Sequence, residues 1–272
     1  MANILVTGSE GTLGRYLVAE LRSRRRVGQI FTASASIYAK HFFAFLTLGL
    51  LAFPVGLAVS AGHNALLSGG LPVLDLGLPY AGVGLTVAAA LAFHGLAFGL
   101  TAIIVFAASI AVIAQIERGE SGDAVGAILS VFRKLPQLVA STAVAAVVVA
   151  ALCVTLVGIP LGLRQAARWS LNTHALLLRD VSGRRSLSSS AGLVTMARWH
   201  AFVTTALLLT LAMLAAPALG IVLLWFVRSL DPAYVGLISA TLHAMLVPFI
   251  AIAMSLLYFD LESRHEPEAS RR

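Results

Sequence analysis

Five long apolar runs constrain this chain more than any other feature of it. Phe42 to Ala61, Ala81 to Ile116, Leu135 to Val157, about Ala201 to Val227 and Tyr234 to Phe259 each hold almost nothing but apolar side chains. A helix of about 20 such residues crosses the roughly 30 Å hydrocarbon core of a bilayer. A soluble fold of this size would need charge to cover its surface, yet only 11% of the 272 residues are charged and 59% are hydrophobic. Ordinary soluble domains carry roughly 25% charged residues. The chain therefore reads as an all-α, polytopic membrane helix bundle. Leu163 to Leu178 has the length of a further, polar and half-buried span, which brings the total to about six transmembrane helices.

The placement of charge orients those spans. Gly62 to Tyr80 contains no Lys or Arg and reads as a non-cytoplasmic loop, whereas Glu117 to Lys134 is polar and partly amphipathic, with Arg118, Arg133 and Lys134 on the cytoplasmic side. Gly158-Ile159-Pro160-Leu161-Gly162 reads as the turn between the third apolar run and the polar stretch. With six spans, only Arg164, Arg168 and Arg228 of the 19 basic residues fall off the cytoplasmic face, and both termini lie in the cytoplasm. The net charge of +7 then reflects retention of Lys and Arg beside an anionic leaflet, and no nucleic-acid partner is expected. Cys153, the single cysteine, lies inside an apolar run, so no disulfide framework or cysteine-based metal site forms within one chain.

The segment before the first span has a different character. Residues 1–26 open on Ile4-Leu5-Val6 and a glycine-rich turn, then become helix-like up to Arg22-Ser23-Arg24-Arg25-Arg26, giving a short strand-turn-helix fragment. The turn, Thr7-Gly8-Ser9-Glu10-Gly11-Thr12-Leu13-Gly14, resembles the start of the NAD-dependent epimerase and short-chain dehydrogenase family. There a T-G-x-x-G-x-x-G turn lets backbone amides approach a pyrophosphate. The chain departs from that family immediately afterwards. It has no second strand and no Tyr-x-x-x-Lys pair before the membrane sequence begins, so no cofactor is expected, and a fused remnant, a start-site artefact or a simple cap explains the turn.

Two sets of polar residues lie within apolar sequence. In the polar stretch, Arg164, Arg168 and Asn172 recur every four residues and would share one helix face, with Trp169, Thr173 and His174 beside them. Arginines at membrane depth either face an interior cavity, where they would hold an anion or lipid phosphate, or snorkel to the headgroups. Arg164, Arg168, Trp169, Asn172 and His174 are therefore the candidate anion or lipid site. His94 and His243 are isolated intramembrane polar groups, suited to a proton relay or a ligand role but also to ordinary core hydrogen bonding. The acidic residues all fall in expected loops, termini or helix ends, so no paired-carboxylate chemistry has candidates inside the bilayer and neither a catalytic nor a metal site is expected.

Short motifs along residues 27–264 carry a second resemblance. Val27-Gly28-Gln29-Ile30-Phe31, Ser36-Ile37-Tyr38-Ala39-Lys40-His41-Phe42, Arg168-Trp169-Ser170 and Ser190-Ala191-Gly192-Leu193-Val194 leading to Arg198-Trp199 are among them. The closing Val247-Pro248-Phe249 and Leu256-Leu257-Tyr258-Phe259-Asp260-Leu261 complete the set. Together they resemble the bacterial membrane domain associated with glycerophosphoryl diester phosphodiesterases and its stand-alone relatives. The resemblance implies a helical membrane module without the catalytic barrel found in fused members.

The expected organisation is a tail over 1–26, a membrane domain over 27–264 and a polar cytoplasmic tail over 265–272. The expected function is a non-catalytic membrane scaffold or assembly partner in the cell membrane, contacting lipids and a membrane-protein partner or a second copy. Gly122 to Arg133 and Ser186 to Arg198 are the amphipathic segments suited to such contacts. A lipid- or solute-binding or transport module using 163–178 is the alternative, and a membrane-anchored NAD-dependent enzyme is a third class resting on the N-terminal glycines alone. The topology is directly testable. A membrane-impermeant thiol reagent applied to intact cells should leave cysteines placed at either terminus unlabelled, and labelling of either end would overturn the six-span arrangement.

Overall fold

The computed structural model describes residues 26–50, 54, 81–181, 183–226 and 232–269. All the regular structure among these is helical, in the order α1 (Val27–Lys40), α2 (Phe42–Leu50), α3 (Ala81–Glu117), α4 (Ala124–Cys153), α5 (Gly158–Trp169), α6 (Asn172–Leu178), α7 (Arg184–Met196), α8 (Arg198–Phe226) and α9 (Pro232–Ala269). The strand-turn-helix expectation for the N-terminal tail falls on residues outside this set. So does nearly all of the first apolar run beyond Leu50, together with Arg228 and the last three residues.

Apolar pattern explains which helices are central. On α1, Ile30, Ser34 and Ile37 are buried at spacings of four and three, one stripe of a helix surface. The Tyr38 hydroxyl donates to the Met245 carbonyl at 3.2 Å, and its ring stacks on Phe45 with centroids 5.8 Å apart. The core those residues enter is organised around the second half of α9, where Ile252, Leu256 and Leu257 have no exposed surface. Phe45 and Leu48 of α2 and Val112 and Ile113 of α3 complete it.

Three helices among the described residues are long and apolar enough to cross a membrane: Gly99–Glu117, Ala124–Cys153 and Met245–Arg264. A bent pair, α7 with the start of α8, meets the same criterion jointly but turns through 112° at its break. The three differ in surroundings. Of the most apolar 18 residues, 72% are buried in the α9 segment and only 11% in α4. The centre of the fold is thus α9, while α4 stands at its edge with Val144, Val147 and Val148 bare.

Of the expected polar and partly amphipathic segment Glu117 to Lys134, residues 118–123 connect two helices and 124–134 form the start of α4. Asp123 caps this helix by accepting the Val125 N–H at 3.0 Å, and its own N–H donates to the Gln115 side chain at 2.7 Å. An N-cap carboxylate satisfies an otherwise orphaned amide, so the helix begins well before the uninterrupted apolar run.

The end of α4 departs from expectation too. The chain reverses over residues 154–157, and the Gly158 to Gly162 cluster, expected to be the turn, is the first part of α5. The glycines are needed for contact rather than for turning. A Cβ on Gly158 would collide with the Leu152 carbonyl oxygen, and one on Gly162 would lie 2.5 Å from Cys153 Sγ and 3.3 Å from the Val149 carbonyl. Pro160 is tolerated between them because the first turn of a helix has no intrahelical use for its N–H.

From this close approach α5 and α6 run back along α4 in constant register. Gly162 lies against Val149 and Cys153, Asn172 donates to Ser141 Oγ at 3.0 Å, and Lys134 pairs with Asp180. The polar stretch Leu163 to Leu178 is therefore the return leg of a helical hairpin, but it is not one helix, being divided at Ser170 and Leu171.

If glycine contact sets the hairpin, Gly162→Val should destabilise the protein by about 1–3 kcal/mol, the usual cost of overpacking. Gly192→Ala, where a Cβ would meet nothing within 4 Å, should be neutral or stabilise by about 0.5–1 kcal/mol through helix propensity. Thermal unfolding in detergent measures both, and equal effects would remove the contact explanation.

Candidate functional site

The division at Ser170 and Leu171 decides where the candidate residues go. Ser190 of α7 holds it open, because its hydroxyl donates to the Arg168 carbonyl at 2.8 Å and accepts the Leu171 N–H at 3.2 Å. The Ser170 hydroxyl donates to the Ala167 carbonyl at 2.9 Å. Side chains thus engage backbone groups on both sides of the interruption, which an apolar interior otherwise penalises. The two pieces face different surroundings. Arg164 is exposed, Arg168 and Trp169 are half-buried, and Asn172 and His174 are buried.

The expected face shared by Arg164, Arg168 and Asn172 is consequently not formed, since a four-residue spacing aligns side chains only along an unbroken helix. Asn172 belongs to a closed polar seam, donating to Ser141 Oγ at 3.0 Å and accepting from Ser186 Oγ at 2.6 Å. His174 is directed toward α9. Its Nε2 lies 3.1 Å from Ser255 Oγ, whose single proton is directed to the Ala251 carbonyl at 2.8 Å. The ring stacks against Tyr258, with centroids 5.7 Å apart and planes 17° apart, and meets Phe106 edge-on at 5.7 Å. His174 Nδ1 has no hydrogen-bond partner. His94 and His243 lie outside the residues whose side chains are described.

Arg168 is left in a different state. Its Nη1 reaches Gln165 Oε1 at a long 3.4 Å, while its Nε is buried and has no acceptor. Neither Arg164 nor Arg168 is in an ion pair among the described residues.

A second charged group was not anticipated. Asp260 was expected at a helix end, but α9 continues past it to Ala269 and its side chain is entirely buried. Arg264, one turn later, holds it with Nε at 2.9 Å from Oδ2 and Nη2 at 3.2 Å from Oδ1. His200 of α8 places Nε2 at 3.4 Å from Oδ2, close enough for attraction but without hydrogen-bond geometry. Nearby, Arg179 donates from Nη2 to Glu262 Oε1 at 2.8 Å and lies over the Tyr258 ring, 6.0 Å from its centroid. The four-residue spacing of Asp260 and Arg264 was visible in the sequence; that the helix would extend past its apolar stretch was not.

At the exposed rim, the Lys134 ammonium holds the Asp180 carboxyl below its ordinary value and the Arg118 guanidinium does the same for Glu120. A lowered carboxyl favours the folded state above its unfolded value and loses that contribution as pH falls through the lower folded value. Both pairs are open to solvent, so the effect is small. No three His, Cys, Asp or Glu side chains among the described residues are grouped as metal ligands. No known protein family, curated protein or solved structure matches the chain.

The closed seam and the buried ion pair should behave as structural elements. Asp260→Ala deprives the Arg264 guanidinium of its charged acceptor and should cost about 1–3 kcal/mol. Asn172→Leu leaves two serine hydroxyls without their shared amide and should cost about 1–3 kcal/mol, whereas Arg164→Gln should stay within about 0.5 kcal/mol. A denaturation series ranking Arg164→Gln with the other two would contradict this division.

Proposed function

We propose that the chain is a non-catalytic, multi-pass protein of the cell membrane that serves as a scaffold or assembly partner. The first half of α4 carries this reading. Val125, Leu129 and Phe132 recur at four and three residues and are 62%, 59% and 50% exposed, while Ala124, Ala127 and Val131 on the opposite side enter the core. Asp123 precedes this stripe and Arg133 and Lys134 follow it, so charges bracket it and separate it from the uninterrupted apolar run. Hydrocarbon covers a bare apolar helix face within a bilayer, but a stripe between charged ends calls for another cover. Apolar residues at these spacings are the anchors by which one helix seats in a groove of another protein.

The hairpin register supports counting α5 and α6 as a crossing. From Lys134 to Cys153 α4 rises about 30 Å, the thickness of the hydrocarbon core, and the return leg brings Asp180 back to Lys134.

A photo-crosslinking amino acid at Leu129 or Phe132, irradiated in intact membranes, should yield a protein adduct of one discrete mass. The same probe at Ser130 should not, and Leu129→Arg should abolish the adduct at Phe132. Lipid adducts alone, or none, would overturn the scaffold reading and leave α4 as an interfacial helix.

A further inference from the structure

We infer that Arg168, assisted by Arg164 one turn earlier, binds a phosphate-bearing anion at the middle depth of the α4–α5–α6 hairpin. The register places the site. With Lys134 beside Asp180, Ser141 bonded to Asn172 and Cys153 against Gly162, Arg168 is level with about Ala145. That is about 16 Å along α4 from Lys134 at 1.5 Å per residue. Val144, Val147 and Val148, all exposed apolar side chains, lie near that level on α4.

A guanidinium in such surroundings stays charged and is costly unless it is paired or hydrated. The polar groups near Arg168 in the chain are already occupied. Its carbonyl takes the Ser190 proton, Ser170 donates to Ala167, and the Asn172 amide is spent on Ser141 and Ser186. Among the described residues the 3.4 Å contact to Gln165 is the one that engages the fork, and Nε is buried without an acceptor. A buried donor without a partner marks a missing acceptor. A negatively charged group fits this position best, because no carboxylate pairs with either arginine among the described residues. Two N–H bonds from one guanidinium fit two oxygens of a phosphate. Arg164, exposed and four residues earlier on the same unbroken helix, adds a second positive charge beside the first. The same chemistry is offered by the phosphodiester headgroup of a bilayer lipid drawn toward the hairpin and by a free phosphate ion.

Binding is read on the full-length protein in two arms. In the first, the protein is reconstituted with equimolar phosphatidylglycerol and phosphatidylcholine, returned to detergent, and the lipid retained per chain is measured. Parent protein should retain phosphatidylglycerol preferentially. Arg168→Leu should lower that retention by about tenfold or more, as expected for one lost charge-assisted contact, and Arg168→Lys should restore part of it, because a point charge replaces the fork. Arg164→Gln, at an exposed position where folding is not at risk, should weaken retention by a smaller factor. In the second arm, delipidated protein is heated in sodium phosphate or in sodium chloride of equal ionic strength. A phosphate-dependent rise in midpoint that Arg168→Leu abolishes identifies a soluble anion as the ligand. Retention without such a rise identifies the lipid. If the parent shows neither preference, or if all three variants match it in both arms, the guanidinium is hydrated only and the site does not exist. These outcomes are independent of crosslinking at Leu129, which lies on a different part of α4.

Discussion

The hydroxyl of Ser190, placed between the Arg168 carbonyl and the Leu171 amide, permits the return leg to change direction inside an apolar fold. An interrupted helix exposes backbone groups that water would normally satisfy. In an apolar environment each unsatisfied group costs several kcal/mol, so an interruption persists only where side chains supply the bonds. Once the chain has turned there, α5 and α6 present unlike faces. The arginines of α5 are left at the periphery, while Asn172 and His174 of α6 are carried into contact with α4, α7 and α9. The same four-residue spacing on an unbroken helix would have stacked Arg164, Arg168 and Asn172 together.

Burial on α9 imposes a comparable requirement at the other end of the bundle. Asp260 has no exposed surface, and an isolated carboxylate there would be neutralised or expelled. The Arg264 guanidinium, 31% exposed, meets both of its oxygens while its own far side reaches solvent. The pair is therefore a graded one, with the acid fully enclosed and the base at the boundary. Arg179 and Glu262, each about one-third exposed, sit beside it and connect the end of α6 to the same helix. Of the two pairs, Arg179 with Glu262 ties α9 to its neighbour, whereas Asp260 with Arg264 lies within α9 itself.

The helical class and most helix positions were legible because they follow from apolar run length, which depends on local sequence alone. Ala81 to Ile116 exceeds one crossing and is indeed a single helix, α3, of 37 residues. What sequence could not show depends on partners distant in the chain. Gly158 and Gly162 read as a turn because glycine favours turns, yet their role is set by Leu152 and Cys153 on the facing helix. Asn172 looked like part of a basic face because Ser141 and Ser186, its actual partners, are 31 and 14 residues away. Asp260 read as a helix end because apolar sequence stops there, although an i, i+4 Arg allowed the helix to continue. The residue types of the candidate site were thus readable and their grouping was not.

The contrast between α4 and α9 bears on what kind of work the fold can do. A transporter places its polar groups around a cavity at broken helices and leaves them unpaired for a substrate. Here the break is present, but Asn172 is bonded at both its amide nitrogen and its oxygen by other side chains, and His174 is enclosed between two aromatic rings. Internal bonding of this kind favours a rigid interior. The available apolar surface is at the edge, along α4, while on α5 Arg164 is exposed and the buried Nε of half-buried Arg168 lacks an acceptor. The bare stripe of α4 and the arginines of α5 are different surfaces, which is why a protein partner on the first and a phosphate group on the second are compatible proposals rather than competing ones.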